Sequence, residues 1–169
     1  MTALVLAILV GASPLVCPAG AVLVGRPPPH GNAEWCEAPG PGGQPVRQGP
    51  AREWYDAEHL RLESTWRDGQ LDGPYVELYR GGQKSAEGAW RAGERHGRWR
   101  FWSEAGVLEE EVSYDAGRRH GRFLQWFPDG RRRIEGTFCW GIQCGRWTTW
   151  GPDGHELGVV TYEEIRAKP

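Results

Sequence analysis

Aliphatic side chains are scarce in this 169-residue chain. Leu, Ile, Val and Phe together number 31, or 18%, and eleven of them precede residue 25. A composition this thin marks disorder when net charge is also large. The net charge is -2, with 20 Lys plus Arg against 22 Asp plus Glu, so that reading has little support. The same balance removes any general electrostatic reason to expect nucleic acid as a partner. In place of aliphatics stand ten Trp, five Tyr and four Phe, with 25 Gly and 13 Pro. Gly costs roughly 1 kcal/mol per helix position relative to Ala. Helix-rich classes are therefore disfavoured, and the composition points to an aromatic core with frequent turns.

Charge is missing from one region altogether. No Asp, Glu, Lys or Arg occurs from Met1 to Gly25. The apolar run Ala3 to Val10, followed by Gly11, Ala12 and Ser13, resembles the core and cleavage region of a secretory signal, although the basic n-region is absent. Cleavage is expected after Ala12 or after Ala21, and Cys17 is a candidate for lipid anchoring. Pro14, Pro18 and three Gly interrupt the stretch, which argues against a membrane span of about 20 apolar residues. The protein is expected to be exported to the periplasm or cell envelope, or secreted.

No C-x-x-C occurs, and zinc sites favour that tighter spacing. The four cysteines, Cys17, Cys36, Cys139 and Cys144, are even in number, which in a small exported chain reads as disulfides. They allow three pairings. The sequence-local one joins Cys17 to Cys36 and Cys139 to Cys144. It requires Cys17 to survive cleavage, which favours the earlier cut.

Catalytic machinery is also missing. No Gly-rich phosphate loop precedes a helix, and no nucleophile or carboxylate pair stands beside a base. Neither enzymatic activity nor a cofactor is expected.

What is present is a period. From Trp66 onward the chain repeats every 24 residues without insertion. One ring column runs Trp66, Trp90, Tyr114, Phe138, Tyr162. Others run Tyr75, Trp99, Phe123, Trp147 and Leu78, Trp102, Trp126, Trp150. Glycine columns run Gly69, Gly93, Gly117, Gly141 and Gly73, Gly97, Gly121, Gly145, with a further one at Gly82, Gly106, Gly130, Gly154. Glu63, Glu87, Glu111 and Glu135 form a column that ends at Val159. Gly supplies the positive φ of tight hairpin turns. Each unit therefore reads as a β-hairpin, and the chain as an all-β antiparallel hairpin repeat, a meander or solenoid of about four and a half units. A hairpin is not stable alone, so each unit must bury its rings against its neighbours.

Facing follows from the two-residue alternation of strands. Val112 and the ring column at 114 share one face, and Glu111 and Ser113 share the other, wetter one. The rings at 75 and 78 are three apart, so they lie on opposite faces or a bulge separates them.

The segments Trp90-Arg91-Ala92-Gly93-Glu94-Arg95-His96-Gly97-Arg98-Trp99 and Tyr114-Asp115-Ala116-Gly117-Arg118-Arg119-His120-Gly121-Arg122-Phe123 resemble the MORN repeat (membrane occupation and recognition nexus), in its bacterial variant. Such proteins are grouped as a YwqK-type antitoxin family. The resemblance covers residues 49–162. It implies an elongated hairpin sheet and a protein partner, which the antitoxin grouping makes a toxin neutralised by occlusion. Phospholipid or glycan binding at the cell envelope and a structural scaffold are the alternatives.

The expected organisation is a signal or membrane-anchor region at 1–21, a Cys-bearing segment and Pro/Gly-rich linker at 22–48, the MORN-like repeat domain at 49–162 and a tail at 163–169. His96 and His120 share a column, but members lie roughly 10 Å apart, too far for one metal sphere. Arg118, Arg119, Arg122 and Arg131 to Arg133 form a local basic cluster, read as charge that protects a sheet edge. The ring columns are read as core first and as a partner surface second.

Overall fold

The computed structural model describes residues 13–163. They form one antiparallel sheet of twelve strands, each paired with its neighbours in sequence. The strands are β1 Val22–Arg26, β2 Ala33–Pro39, β3 Pro45–Trp54, β4 Leu60–Arg67, β5 Gln70–Leu78, β6 Lys84–Arg91, β7 Glu94–Trp102, β8 Leu108–Asp115, β9 Arg118–Trp126, β10 Arg132–Cys139, β11 Ile142–Trp150 and β12 Glu156–Tyr162. The sheet is an open meander with β1 and β12 at its edges.

Two kinds of turn alternate, one at each end of the strands. At one end the loops have two residues: Asp68-Gly69, Ala92-Gly93, Ala116-Gly117 and Trp140-Gly141. Both residues of every pair have positive φ, from 45 to 54° at the first and 72 to 92° at the second. That is the type I′ geometry whose twist matches the flanking strands. Each turn glycine then does a second job. Its N–H donates to a carbonyl of the preceding unit: Gly69 to Arg47 at 3.0 Å, Gly93 to Leu71 at 2.8 Å, Gly117 to Arg95 at 3.1 Å and Gly141 to Arg119 at 2.8 Å. The turns are thereby stacked unit on unit. At the other end, longer loops close through Gly82, Gly106, Gly130 and Gly154, whose N–H groups donate to Tyr79, Ser103, Phe127 and Gly151.

The core lies on one face of the sheet. Trp99, Val112, Tyr114, Phe123, Phe138 and Trp147 are buried together, with Tyr75, Trp90, Phe101 and Ile134 packed against them. Size is matched across the strand pairs of successive units. Trp99 pairs with Val112 on one side and overlies Gly88 on the other, where a Cβ would fall inside the indole. Trp147 overlies Gly136 in the same way. Where that column holds Val112, the ring opposite is the smaller Phe123. The room for each indole comes from a bulge. Glu87 pairs with Arg100 but Ala89 with His96. Likewise Glu135 pairs with Thr148 but Thr137 with Cys144. The extra residues on β7 and β11 begin at the left-handed Gly97 and Gly145.

Residues 22–48 are a correction to the sequence reading. They are no linker: β1, β2 and the start of β3 continue the sheet. The prolines and glycines that suggest a linker sit at a hairpin tip, where Pro39 pairs with Pro45 around a 3-10 turn at Pro41–Gly43. Proline's missing donor costs little at strand ends. Gly25, 24 residues before Gly49, extends that positive-φ column upstream, with φ of 79° and 100° at the two positions. The region brings the strand count to twelve, above the roughly eight that four units supply.

Residues 13–21 lie across the sheet rather than in it. Cys17 is bonded to Cys36 with 5.5 Å between Cα atoms, and Cys139 to Cys144 with 5.7 Å. This is the sequence-local pairing. The apolar run Ala3 to Val10, the cleavage position at Ala12 and residues 164–169 of the tail lie outside the described residues.

Candidate functional site: two unlike faces

The two faces of the sheet offer different chemistry. On the ring face, guanidinium groups sit over the aromatics. Arg95 lies 4.5 Å from the centroid of Trp99 and within 6 Å of Trp90, Phe101 and Tyr114. Arg119 covers Phe123 at 5.8 Å and Phe138 at 5.3 Å. Arg47 lies 4.7 Å from Trp66 and 5.0 Å from Trp35. Contacts of this kind contribute about 0.5–1 kcal/mol each at exposed sites. Arg95 also reaches the Tyr114 hydroxyl at 3.3 Å. Between Arg95 and Arg119 stands Glu110, half-buried. Burial pushes its carboxyl above the usual range, against the opposing pull of Arg119 and then Arg95. The Arg119 to Glu110 distance is 3.6 Å. Burial likewise raises the Tyr75 hydroxyl.

On the opposite face, ion pairs run across the strands. Arg52 contacts Glu63 at 2.9 Å and Glu34 at 3.6 Å. Arg100 and Arg98 contact Glu111 at 3.0 and 3.7 Å. Arg122 contacts Glu135 at 3.0 Å. Arg52–Glu34 is largely buried, and the other, partly exposed pairs contribute up to about 1 kcal/mol each. Glu63, Glu111 and Glu135 of the Glu column are thus the acidic half of a cross-strand ladder, while Glu87 pairs with Lys84 on its own strand at 2.7 Å.

The residues singled out in the sequence divide between these places. Trp99, Tyr114, Phe123, Phe138 and Trp147 are core, with Tyr75 and Trp90 against them. Trp66 is half-buried under Arg47. Trp150 lines the polar face beside Arg146 and Thr148, with Arg132 5.8 Å over its ring. Trp102 carries Lys84 at 5.9 Å. The open question about the two ring columns of the odd strands has a double answer. Trp147 and Trp150 lie on opposite faces, and a register shift falls at Thr149/Trp150 as it does at Phe101/Trp102. Trp126 is half-buried at the end of β9. Tyr162 occupies the same column as Tyr114 but is 39% exposed against 8%, because β12 is an edge.

His96 approaches Asp115 at 3.4 Å, and His120 stacks on Trp140 with 4.4 Å between ring centroids. Among the described residues no three His, Cys, Asp or Glu gather as a metal site. The Arg118 to Arg133 cluster is dispersed. Arg119 turns to the rings, Arg122 and Arg132 pair with Glu135, and Arg131 donates to the Pro152 carbonyl at 2.7 Å. Cys17, bonded to Cys36, has no free sulfur for a lipid thioether.

Two features escaped the sequence reading. Trp140 holds a left-handed φ of 54° inside the Cys139–Cys144 loop and is 40% exposed, next to exposed Ile142. Large side chains rarely adopt that conformation without a reason in the surroundings. The signal was its place in the Asp68, Ala92, Ala116 column. The other is Leu15, which is buried against the polar face. No repeat column contains it.

No curated protein matches the chain. Residues 95–116, which run from the second residue of β7 through β8 to the first residue of the next turn, match the family described as MORN repeat variant, so the chain carries a MORN-type repeat within a sheet of like hairpins, the architecture of a repeat-based binding or scaffold module.

Proposed function

We propose that the protein is an exported, non-enzymatic module that holds a protein partner along its sheet. The observation that carries this is the regular display of side chains on a sheet of twelve strands. Each unit advances roughly 10 Å, so a partner meets the same chemistry several times over. Repeated weak contacts on a rigid frame add up where one contact does not. Export is supported by the uncharged, apolar stretch before Gly25 and by two disulfides, which suit an oxidising compartment. A cut after Ala12 keeps Leu15 and Cys17, whereas one after Ala21 removes both. If the antitoxin grouping carries over, the partner is a toxin whose working surface the sheet occludes.

The test is a pull-down from the native cell fraction with the disulfide-intact protein. A single protein recovered in stoichiometric amount supports the reading. Recovery of none contradicts it.

A second reading has its own observation. Trp140 and Ile142 are exposed together at one hairpin tip, and Trp favours membrane interfaces. Pelleting with phospholipid vesicles, lost in Trp140→Ser/Ile142→Ser, supports that reading instead.

A further inference from the structure

In the first unit the polar face is covered by the chain itself. Residues 13–21 cross it as a strap. Leu15 forms one wall of a notch whose other walls are Pro50, Arg52, Glu63, Thr65, Pro74 and Val76. Arg52 donates to the Ser13 carbonyl at 2.7 Å. Pro18 packs where a side chain at Gly49 would be, and the Cys17–Cys36 bond ties the strap down.

A similar notch recurs one and three periods on, and between them Leu124 is buried on the same face, opposite Glu111 and Glu135. Moved by one period, its walls become Glu87, Ala89, Arg98 and Arg100. Moved by three periods, they become Glu135, Thr137, Arg146 and Thr148. No strap residue lines either of these two notches. One column changes character between the covered and the open stretch. Pro50 and Pro74 lie under the strap, and Arg98, Arg122 and Arg146 follow beyond it. Arg98 and Arg122 are each met by one carboxylate. Arg146 is exposed and has no ion pair among the described residues, since the Glu column ends at Val159. The self-bound strap is uncharged, and the column beyond it carries one Arg per unit, of which Arg98 and Arg122 are paired and Arg146 shares its notch with Glu135 and Glu156.

We infer that the polar face from β6 to β11 is a docking groove for an extended, acidic segment of a protein partner. An apolar side chain lies against each notch as Leu15 lies against the first, and a carboxylate meets the Arg98, Arg122 and Arg146 column. The inference rests on the protein-binding reading above and specifies its surface. Spacing supports it. A polyproline II segment turns the same side to the sheet every third residue, or about 9 Å. That matches the roughly 10 Å advance of the units. The strap supplies the proline and apolar part of this pattern, in Pro14, Leu15 and Pro18, without its charge.

The probe is a fluorescent nonapeptide of three Glu-Pro-Leu triplets, titrated against the full protein by polarisation. Saturable binding that weakens with added salt is expected. The matching Lys-Pro-Leu and Glu-Pro-Ser peptides should each bind about tenfold more weakly or worse, as loss of a charge pair or an anchor implies. Arg98→Glu/Arg146→Glu should lose the probe. Ala89→Phe/Thr137→Phe, which fills both notches without touching the charges, should weaken it comparably. Near-ultraviolet circular dichroism checks each fold, and Arg98→Gln/Arg146→Gln replaces a variant that does not fold. No saturable binding at about 1 mM probe, equal binding of the Lys peptide, or unchanged binding by the variants overturns the groove. A partner recovered equally by wild type and Arg98→Glu/Arg146→Glu overturns the groove but leaves the protein-binding reading standing. Probe binding with no partner recovered keeps the groove and sinks the wider reading.

Discussion

Gly88 and Trp99 show how single positions are matched in this sheet. The absent side chain of one is the seat of the other, and Val112 with Phe123 is the same seat filled differently. Gly88→Val should therefore destabilise by overpacking, by about 2 kcal/mol, and Trp99→Phe added to it should recover much of that. A denaturant-unfolding double-mutant cycle measures the coupling, and strict additivity would refute the match. Glu110 gives a pH test. Burial raises its folded-state pKa, so the folded protein holds that proton more tightly than the unfolded chain. Its contribution is fully favourable below the ordinary carboxylate value and is lost as pH rises through the folded one. Glu110→Gln should raise Tm at neutral pH, with the gain vanishing below about pH 4. The turn residues give a third. Ala116 sits at φ 45°, where Asn is at less of a disadvantage. Ala116→Asn should stabilise by about 1 kcal/mol, seen as a raised denaturation midpoint.

At the scale of elements, the hairpin is the unit and its turn glycines are the joints. The period was legible because the geometry holds each Gly column in place. Gly69, Gly93, Gly117 and Gly141, for example, close type I′ turns and bond to the preceding unit. The first hairpin was not legible in the same way. Prolines cluster just after it at Pro39, Pro41 and Pro45, between β2 and β3, and composition alone does not separate a linker from a hairpin tip. Gly25 was the missed clue, since it continues the column of Gly49 and Gly73. The facing of the odd strands was hidden because the bulges after Gly97 and Gly145 break the simple alternation. Leu15 was hidden because the strap belongs to no repeat, and nothing in an uncharged stretch says that it folds back on the sheet. The two disulfides act on different elements. Cys17–Cys36 closes a separation of 19 residues and holds the strap. Cys139–Cys144 closes one of five, across a single turn. On loop-closure grounds Cys17→Ser/Cys36→Ser should cost about 3 kcal/mol and Cys139→Ser/Cys144→Ser about 2 kcal/mol. Only the first should free residues 13–21 to proteolysis.

For the whole molecule, stability should be graded rather than uniform, because each unit leans only on its neighbours. Val112 is fully buried in the middle of the sheet, while Val160 in the same column is 53% exposed at the edge. Native-state hydrogen exchange should show the highest protection in β7 to β10 and the lowest in β12. The same geometry separates the roles of the faces. The rings and their arginine lids hold units together, and the polar face, covered by the strap at one end, is open beyond it. On the proposed reading, function belongs to the length of the sheet and not to one pocket. The most direct measurement is a footprint of the captured partner by cross-linking and mass spectrometry. Contacts spread over at least three successive units, about 30 Å of sheet, are the predicted result. A footprint confined to one loop would contradict the account.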